Sequence, residues 1–382
     1  QGTSGQTLVT DGSGVLSFSN VGVTSDAQSN TVAGTGAGAN FSGTDANNNT
    51  LFGKDAGNDI TTGDNNVAVG TNALDANTTA DSNVAIGFAA LTANTTGASN
   101  VALGREALGT NTTASNNTGI GHNALLSNTT GYANTAVGRH SIQSNTTGNN
   151  LVGIGRDALN ANTTGNYNVA IGSLALDANT TASSNTAIGY DSLGANTTGD
   201  SCVAVGAFAL DANTTGTDLT AIGTSALGAN TTANYNLAVG KNALRLNTTG
   251  TQNTSVGTFA LDKNTTANNN TALGYAALNE NTTGTQNTSV GTFALDANTT
   301  ASNNTAIGYA SLTQNSTGTA NTAVGMQSLR FNQTGSNNTA VGEDALEANT
   351  TGSGNTGLGH DALSSNTTAS YNTAVGNNAL LD

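Results

Sequence analysis

The sequence lacks proline and tryptophan, and it has little charge and few aromatic residues: 8% of its 382 residues are charged and 4% are aromatic. A globular protein of this length carries more large apolar residues, and a disordered chain carries more charge. The single cysteine, Cys202, excludes an intrachain disulfide. No run of 18 apolar residues exists, so we expect no membrane insertion. Such a biased composition directs attention to internal repeats.

Basic residues are also scarce, since 8 Lys and Arg stand against 23 Asp and Glu, for a net charge of -15. The sequence shows no basic stripe or cluster, and we therefore expect no nucleic-acid partner. No signal peptide is visible and the chain begins with Gln1 rather than Met, as expected of a processed chain or a fragment.

What the sequence does contain is a strict repeat. A Gly follows a large apolar residue at Gly53, Gly70, Gly87 and so on to Gly376, always with the same 17-residue spacing and without insertion or deletion. Coil positions are numbered here 1 to 17, with Asn66 at position 1 and the Gly at position 5. Position 9 is Leu from Leu74 to Leu380 except at Ile142, and position 8 accepts only Ala or Ser.

Seventeen residues are too few for a helical-hairpin repeat. The β-branched segment at positions 2–4 reads as a short strand, and the Gly and the Asn-Thr-Thr run read as turns. We therefore predict an all-β fold, a parallel β-solenoid (β-roll) of about twenty 17-residue coils over residues 37–382, after an N-terminal lead-in or attachment segment over residues 1–36. At roughly 4.8 Å per coil the stack would be roughly 95 Å long.

The strand also suggests an assembly. Val67 and Val69 point to one face and Ala68 to the other, and the column of Ala68 admits almost only small residues. We expect another copy of the chain to pack closely on this Ala column, most simply around a three-fold axis. A tight single-chain coil, with Ala facing a shallow exterior, is the alternative.

The phrases Asn134-Thr-Ala-Val-Gly138 and Asn83-Val-Ala-Ile-Gly87 resemble the head repeats of trimeric autotransporter adhesins. The longer unit, Asn-Thr-Ala-Val-Gly-x-x-Ala-Leu-x-x-Asn-Thr-Thr-Gly, is similar to arrays found in phage tail fibres and bacterial surface proteins. The opening segment from Gly2 to Phe18 is similar to segments that precede fibre repeats in such phage proteins. The resemblance implies a trimeric parallel β-roll in an extracellular fibre. The 17-residue period is longer than the usual adhesin-head unit, and neither a coiled-coil stalk nor a membrane anchor is visible.

Catalytic and metal-binding patterns are sparse. His122 and His140 lie on adjacent coils but out of register, so we expect them to point in different directions, and His360 stands alone. Acidic residues after the Leu column, such as Asp75, Asp177, Asp211, Asp262 and Asp296, are two or more coils apart, which disfavours paired-carboxylate hydrolysis. We predict no enzyme, no catalytic residue, no metal site and no cofactor.

The Asn at position 12 opens an Asn-x-Ser/Thr sequon in eighteen coils, which makes glycosylation possible in a suitable host. A turn in which the Asn and Thr side chains bond to the backbone explains the same residues without glycans. The candidate sites are Asn77, Asn94, Asn111, Asn128, Asn145, Asn162, Asn179, Asn196, Asn213, Asn230, Asn247, Asn264, Asn281, Asn298, Asn315, Asn332, Asn349 and Asn366.

These patterns predict a non-catalytic structural subunit of an extracellular fibre or filament, of the phage tail-fibre or cell-surface adhesin type, located outside the cell, on a cell surface or on a virion. Its expected partners are copies of itself, as a homotrimer or as a filament in which Gln1 meets Asp382, and cell-surface glycans or a receptor. Two alternatives stay open: a monomeric ice-binding solenoid with rows of Thr, and a polysaccharide-binding or -processing tailspike.

Overall fold

The computed structural model describes residues 7–10, 16–19 and 24–381. Contacts divide the chain into two units, Gln1–Asn166 and Tyr167–Asp382. The described residues form strands and turns and include no helix, so none of them forms a membrane-spanning helix. The predicted all-β parallel solenoid is confirmed. The predicted lead-in includes residues 1–6, 11–15 and 20–23, and the predicted end contact involves Gln1 and Asp382; all of these lie outside the described residues.

Each unit contains one stack of parallel three-residue strands. In the first unit, β1 pairs antiparallel with β2, β3 pairs antiparallel with β4, and β4 to β11 are parallel. In the second unit, β12 to β24 are all parallel. The strands are β1 (Thr7–Thr10), β2 (Leu16–Ser19), β3 (Thr24–Ser25), β4 (Thr31–Ala33), β5 (Thr50–Phe52), β6 (Val67–Val69), β7 (Val84–Ile86), β8 (Val101–Leu103), β9 (Thr118–Ile120), β10 (Thr135–Val137), β11 (Val152–Ile154), β12 (Val169–Ile171), β13 (Thr186–Ile188), β14 (Val203–Val205), β15 (Thr220–Ile222), β16 (Leu237–Val239), β17 (Thr254–Val256), β18 (Thr271–Leu273), β19 (Thr288–Val290), β20 (Thr305–Ile307), β21 (Thr322–Val324), β22 (Thr339–Val341), β23 (Thr356–Leu358) and β24 (Thr373–Val375).

The register between coils follows the 17-residue period. In the pairing of β6 with β7, Val67 lies beside Val84 and Ala68 beside Ala85. Each coil has a single strand, and the remaining residues form turns whose backbones also bond from coil to coil, as where the Leu74 N–H donates to the Ala90 carbonyl at 2.9 Å. The predicted strand at positions 2–4 and the predicted turns are both confirmed.

The direction of the strand side chains differs from the expectation. Ala68 is fully buried inside its own coil, whereas Val69 is 37% exposed. The prediction that the Ala column packs against another copy is therefore wrong: the column packs against the Leu column of the same chain. The cause is the narrow interior, where positions 3 and 9 together have room for one large side chain. Where Leu51 occupies position 3, position 9 is Gly57, and a Cβ at Gly57 would lie 2.9 Å from Leu51 Cδ2.

Backbone geometry explains the invariant Gly. Gly70 has φ near 135°, and a Cβ there would lie 2.5 Å from the carbonyl oxygen of Gly87 in the next coil. Any larger residue would push the coils apart. The Leu of position 9 also adopts a left-handed conformation, with φ of 55° at Leu74, which costs roughly 1–2 kcal/mol. Complete burial of the Leu side chain contributes about 1.5–3 kcal/mol and offsets this strain.

Two columns of buried Asn complete the interior. At position 12, Asn94 Nδ2 donates to Asn77 Oδ1 of the preceding coil at 3.1 Å and to the Gly97 carbonyl at 2.8 Å. At position 1, the Asn83 backbone N–H donates to Asn66 Oδ1, and Asn83 Nδ2 donates to the same Gly97 carbonyl at 3.0 Å. Each coil therefore buries polar amides whose hydrogen bonds are made within the coil and to the neighbouring coils. We call these columns the Asn ladders.

Candidate interaction surfaces

The outward side of each strand stack forms a strip that we call the sheet face, made of positions 2 and 4. Position 2 is Val, Thr or Leu, and position 4 is Val, Ile or Leu after Phe52 in β5. No charged side chain stands at either position in β5 to β24. The outward side of the strand is therefore the side of Val67 and Val69, not the side of Ala68 on which another copy was expected to pack.

Side chains of the sheet face are only partly covered by their neighbours. In the first unit Leu103 is 43% exposed and Ile154 is 38% exposed; in the second, Ile222 is 40% exposed and Leu273 is 46% exposed. Purely parallel sheets usually have both faces covered, whereas here the turns of the coil cover one face only. The sheet face is therefore an apolar surface suited to contact with another protein layer.

A second surface runs along position 6, directly after the Gly. In the first unit, four successive coils carry Arg105, His122, Arg139 and Arg156 there, with His140 beside Arg139 at position 7. We call these five residues the basic column. The sequence does contain a signal for the basic column, since Arg105, His122, Arg139 and Arg156 are spaced 17 residues apart. A search for basic residues that are neighbours in sequence does not reveal this spacing. The expectation that no basic stripe exists is thus wrong for this edge of the fold.

Contacts within the basic column are short. Arg105 pairs with Glu106 at 3.1 Å, and Asp157 accepts contacts at 3.3 Å from both His140 Nδ1 and Arg156. Arg139 Nε donates to His140 Nε2 at 3.3 Å. The acidic neighbours balance part of the positive charge and hold the side chains beside one another.

The two His of this column are not separated as expected. The rings of His122 and His140 have centroids 5.5 Å apart and are tilted by 46°. The backbone N–H of His140 donates to the carbonyl of His122 at 2.9 Å. This hydrogen bond brings position 7 of one coil beside position 6 of the preceding coil. The prediction that they point in different directions is wrong. No group of three or more His, Cys, Asp or Glu in the described part of the chain is arranged to hold a metal ion.

Exposed aromatic rings occupy the equivalent positions 6 and 7 in the second unit. Tyr190 and Phe208 meet edge to face at 5.3 Å, and Tyr275 contacts Phe259 at 6.2 Å and Phe293 at 5.4 Å in the same way. Tyr190 and Tyr275 are each 48% exposed. These rings form short aromatic rows on an otherwise polar edge.

Carboxylates on the turn side have altered acidity. Burial, reinforced by Glu280, raises the pKa of Asp296 to about 6, and burial together with neighbouring acidic residues raises the pKa of Asp75 and of Asp211. Asp262 instead accepts two hydrogen bonds from Arg245, at 2.8 and 3.2 Å. The Glu280 backbone N–H donates to the Asp296 carbonyl at 3.0 Å, so two acidic residues lie beside one another on neighbouring coils, a pair that the spacing of the Leu-following Asp residues did not reveal.

The eighteen candidate glycosylation sites form the Asn ladder at position 12. All are buried up to Asn349, and only Asn366 is partly exposed. Asn77 Nδ2 donates to the Ala80 carbonyl at 3.0 Å, and Thr78 Oγ1 donates to the Thr95 carbonyl at 3.2 Å. The Asn-Thr-Thr run is thus a turn with side chains bonded to backbone. A glycan on a buried Nδ2 would require the folded coil to open.

Cys202 stands in the Asn ladder at position 1 and is fully buried. Its backbone N–H donates to Asn185 Oδ1 at 2.8 Å, and its Sγ lies 3.4 Å from the Gly216 carbonyl. Burial raises the pKa of the Cys202 thiol to about 11. The thiol therefore stays protonated at neutral pH and is a poor nucleophile.

Comparison with known proteins adds no relative: no protein-family model matches the sequence, and no curated protein matches it significantly. The open concave regions found among the described residues lie beside Asn40 and Phe41 in the first unit and beside Asn366 and Leu380 in the second. Neither adjoins the basic column or the aromatic rows. The sheet face and the basic column are the surfaces with the clearest chemical character.

Proposed function

We propose that this chain is a non-catalytic structural subunit of an extracellular fibre, and that copies of it associate through the sheet face as a homotrimer. The observation that carries the proposal is the uncharged strip formed by the apolar side chains of position 4 and the Val, Thr or Leu side chains of position 2, which the single chain leaves partly exposed. The resemblance of the repeat phrases to adhesin-head and tail-fibre repeats supports a three-fold assembly at a cell surface or on a virion. Partners other than the chain itself are cell-surface glycans or a receptor.

The dimensions of the sheet face support self-association. Thirteen strands at about 4.8 Å spacing, each three residues of about 3.3 Å, give the second unit a flat footprint of roughly 600 Å². The eight strands β4 to β11 contribute roughly 400 Å² by the same reckoning. A stable interface buries about 800 Å² per partner, so the strip of one unit supplies a large part of such an interface and side chains flanking it supply the rest. Because the coils are alike, the side chains of successive strands have the same spacing in every copy. Side chains of one copy can therefore pack between those of another copy along the sheet face of each unit.

The molar mass in solution tests this proposal. One chain is 37.4 kDa, and a trimer has three times that mass. Light scattering should give the trimer mass for the unmodified chain and the single-chain mass for a variant with three Lys on the sheet face. A matched control places three Lys at exposed Thr of position 14, on another side of the coil, and should keep the trimer mass. The test variant is Ile222→Lys/Ile307→Lys/Val341→Lys, and the control is Thr215→Lys/Thr300→Lys/Thr334→Lys.

Two results would overturn the proposal. A single-chain mass for the unmodified protein would exclude self-association in solution. An undiminished trimer mass for the sheet-face variant would exclude this face as the contact.

An ice-binding role is a second candidate, because position 2 places Thr on the outward side of the strand. From Thr254 to Thr373 every coil has Thr there, in eight successive strands. This Thr column lies on the sheet face, unlike the Thr of the Asn-Thr-Thr turn. Thermal hysteresis in a freezing assay, lost on Thr305→Lys, would favour this role; a freezing curve equal to that of albumin would remove it.

A further inference from the structure

Positive charge is concentrated in one stretch of an acidic chain. Between Asp81 and Asp177 the charged residues are three Arg, one Glu and one Asp, so the local balance is 3 − 2 = +1, whereas the whole chain has a net charge of -15. All five stand at positions 6 and 7, on the same edge of the coil. We propose that the basic column binds a linear acidic polysaccharide, whose carboxylate or sulfate groups contact Arg105, Arg139 and Arg156.

The three guanidinium groups are accessible to such a ligand. The side chains of Arg105 and Arg156 are 63% and 56% exposed, and Arg139 is also exposed. Arg139 makes its hydrogen bond to His140 and forms no ion pair among the described residues. A guanidinium carries five N–H donors, more than one neighbouring carboxylate can accept. It binds a planar carboxylate or a sulfate through two parallel N–H donors.

The spacing of the column suits an extended polymer. Neighbouring coils are about 4.8 Å apart, so Arg105 and Arg139 are separated by about 9.6 Å and Arg139 and Arg156 by about 4.8 Å along the stack. A sugar chain lying parallel to the stack meets these charges in succession. Phe88 extends the same column by one coil; its ring is 51% exposed, and Arg105 Cζ lies 6.0 Å from its centroid. The ring offers an apolar surface to the C–H groups of a sugar.

The charge distribution favours a polysaccharide over a nucleic acid. Nucleic acids carry a phosphate on every nucleotide and owe their affinity to many cationic contacts, whereas this site has three Arg with Glu106 and Asp157 among them. The acidic remainder of the chain repels a dense polyanion within the screening length of about 10 Å. A polysaccharide with one anionic group on every sugar, or on every second sugar, carries fewer charges per unit length than duplex DNA, which has one per about 1.7 Å, and so meets less of this repulsion.

Other coils supply the residue for a conservative test. Position 6 is Thr at Thr71, Thr224, Thr258 and Thr292, so Thr at this position is compatible with the fold. The test variant is Arg105→Thr/Arg139→Thr/Arg156→Thr. The control variant, Lys54→Thr/Lys241→Thr/Arg330→Thr, removes the same three charges from other coils. The full-length chain is titrated against fluorescein-labelled polygalacturonate, dextran sulfate, neutral dextran and an oligo-dT strand, with binding measured by fluorescence anisotropy.

The unmodified chain should bind polygalacturonate, dextran sulfate or both, and added NaCl should weaken the binding. The test variant should lose at least roughly tenfold in affinity, and the control variant should stay within roughly twofold of the unmodified chain. Preference between the two probes identifies carboxylate or sulfate as the anionic group.

Absence of binding to both charged polysaccharides overturns the proposal. Equal loss in the two variants also overturns it, because it assigns the binding to total charge. If neutral dextran binds as tightly as the charged polysaccharides, the Arg residues have no role in the binding. If oligo-dT binds more tightly than either charged polysaccharide, the basic column is a nucleic-acid site instead. The site lies outside the sheet face, so these outcomes are independent of the molar mass measured by light scattering.

Discussion

A tight side-chain packing constraint in the interior can be tested at Gly153. This residue occupies position 3, which is Ala in most coils, and it follows the one coil in which Ile142 replaces Leu. A Cβ at Gly153 would lie 2.5 Å from Ile142 Cγ1 and 2.6 Å from Ser141 Oγ. We predict that Gly153→Ala destabilises the first unit by about 2 kcal/mol, in the range of overpacked cores.

The same reasoning predicts a rescue. Replacing Ile142 by Leu and Ser141 by Ala restores the side chains found in most coils and removes both close contacts. The triple variant with Gly153→Ala should therefore regain the lost stability. Leu at position 9 also avoids a β-branched side chain in the left-handed conformation, where Ile142 has φ of 50°.

Gly119→Ala serves as the matched control. It changes the same coil position, but the atoms nearest to the new Cβ would be the Ala124 carbonyl oxygen at 3.2 Å and Leu108 Cγ, in the coil before it, at 3.3 Å. Both contacts are longer than those at Gly153 by more than half an ångström, and we expect less than about 1 kcal/mol of change.

Local hydrogen exchange is the suitable assay, because coils of a repeat protein open locally. A loss of about 2 kcal/mol should speed exchange of the amides around residues 135–155 by roughly thirtyfold, and a guanidinium titration should show the same order of variants. If Gly153→Ala exchanges like Gly119→Ala, or if the triple variant shows no rescue, the steric reasoning is refuted.

Three other changes test separate features of the interior and the turns. The pKa of Asp296 is about 6 in the folded state and near 3.9 in an unfolded chain, so the folded state binds the proton more tightly. The free energy of unfolding should therefore fall as pH rises from about 4 through 6. Asp296→Asn should remove this pH dependence in guanidinium titrations. Cys202→Asn should stabilise the second unit by about 1 kcal/mol, since an amide there can donate to the Gly216 carbonyl; an unchanged unfolding midpoint would contradict this. Asn247→Ala should cost roughly 2 kcal/mol by interrupting an Asn ladder, while Thr249→Ala, at an exposed position, should leave the midpoint unchanged.

The period, the strand and the turns were predictable from sequence because each depends on local chemistry that recurs in every coil. Gly at position 5 marks a backbone that admits no Cβ, and Asn-Thr-Thr marks a turn that bonds to its own backbone. The constant spacing alone also sets the register between coils.

The side of the strand that faces the interior was not predicted, because Val is more apolar than Ala and is expected to be the buried residue. The Leu column and two Asn ladders leave only enough space for a methyl group at position 3, so size outweighs hydrophobicity there. The useful signal was the restricted composition of position 3, which after Leu51 is always Ala, Gly or Ser. Position 2, by contrast, is Val in some coils and Thr in others. The basic column was missed because its members are distant in sequence and adjacent only in the stack.

The Asn ladders have a consequence for how the gene can change length. Most coils pass the same donors and acceptors to the next, with Ile60 at position 12 and Leu151, Cys202 and Leu219 at position 1 as the exceptions. A whole coil can therefore be added or removed while most ladder amides still find their partners. A change of any other size would shift the remaining Asn and Gly out of line with their neighbours. The segment from Gly250 to Asp262 is repeated from Gly284 to Asp296, two coils later, as a duplication of two whole coils would leave it. Natural variants of this protein should therefore differ in length by whole coils.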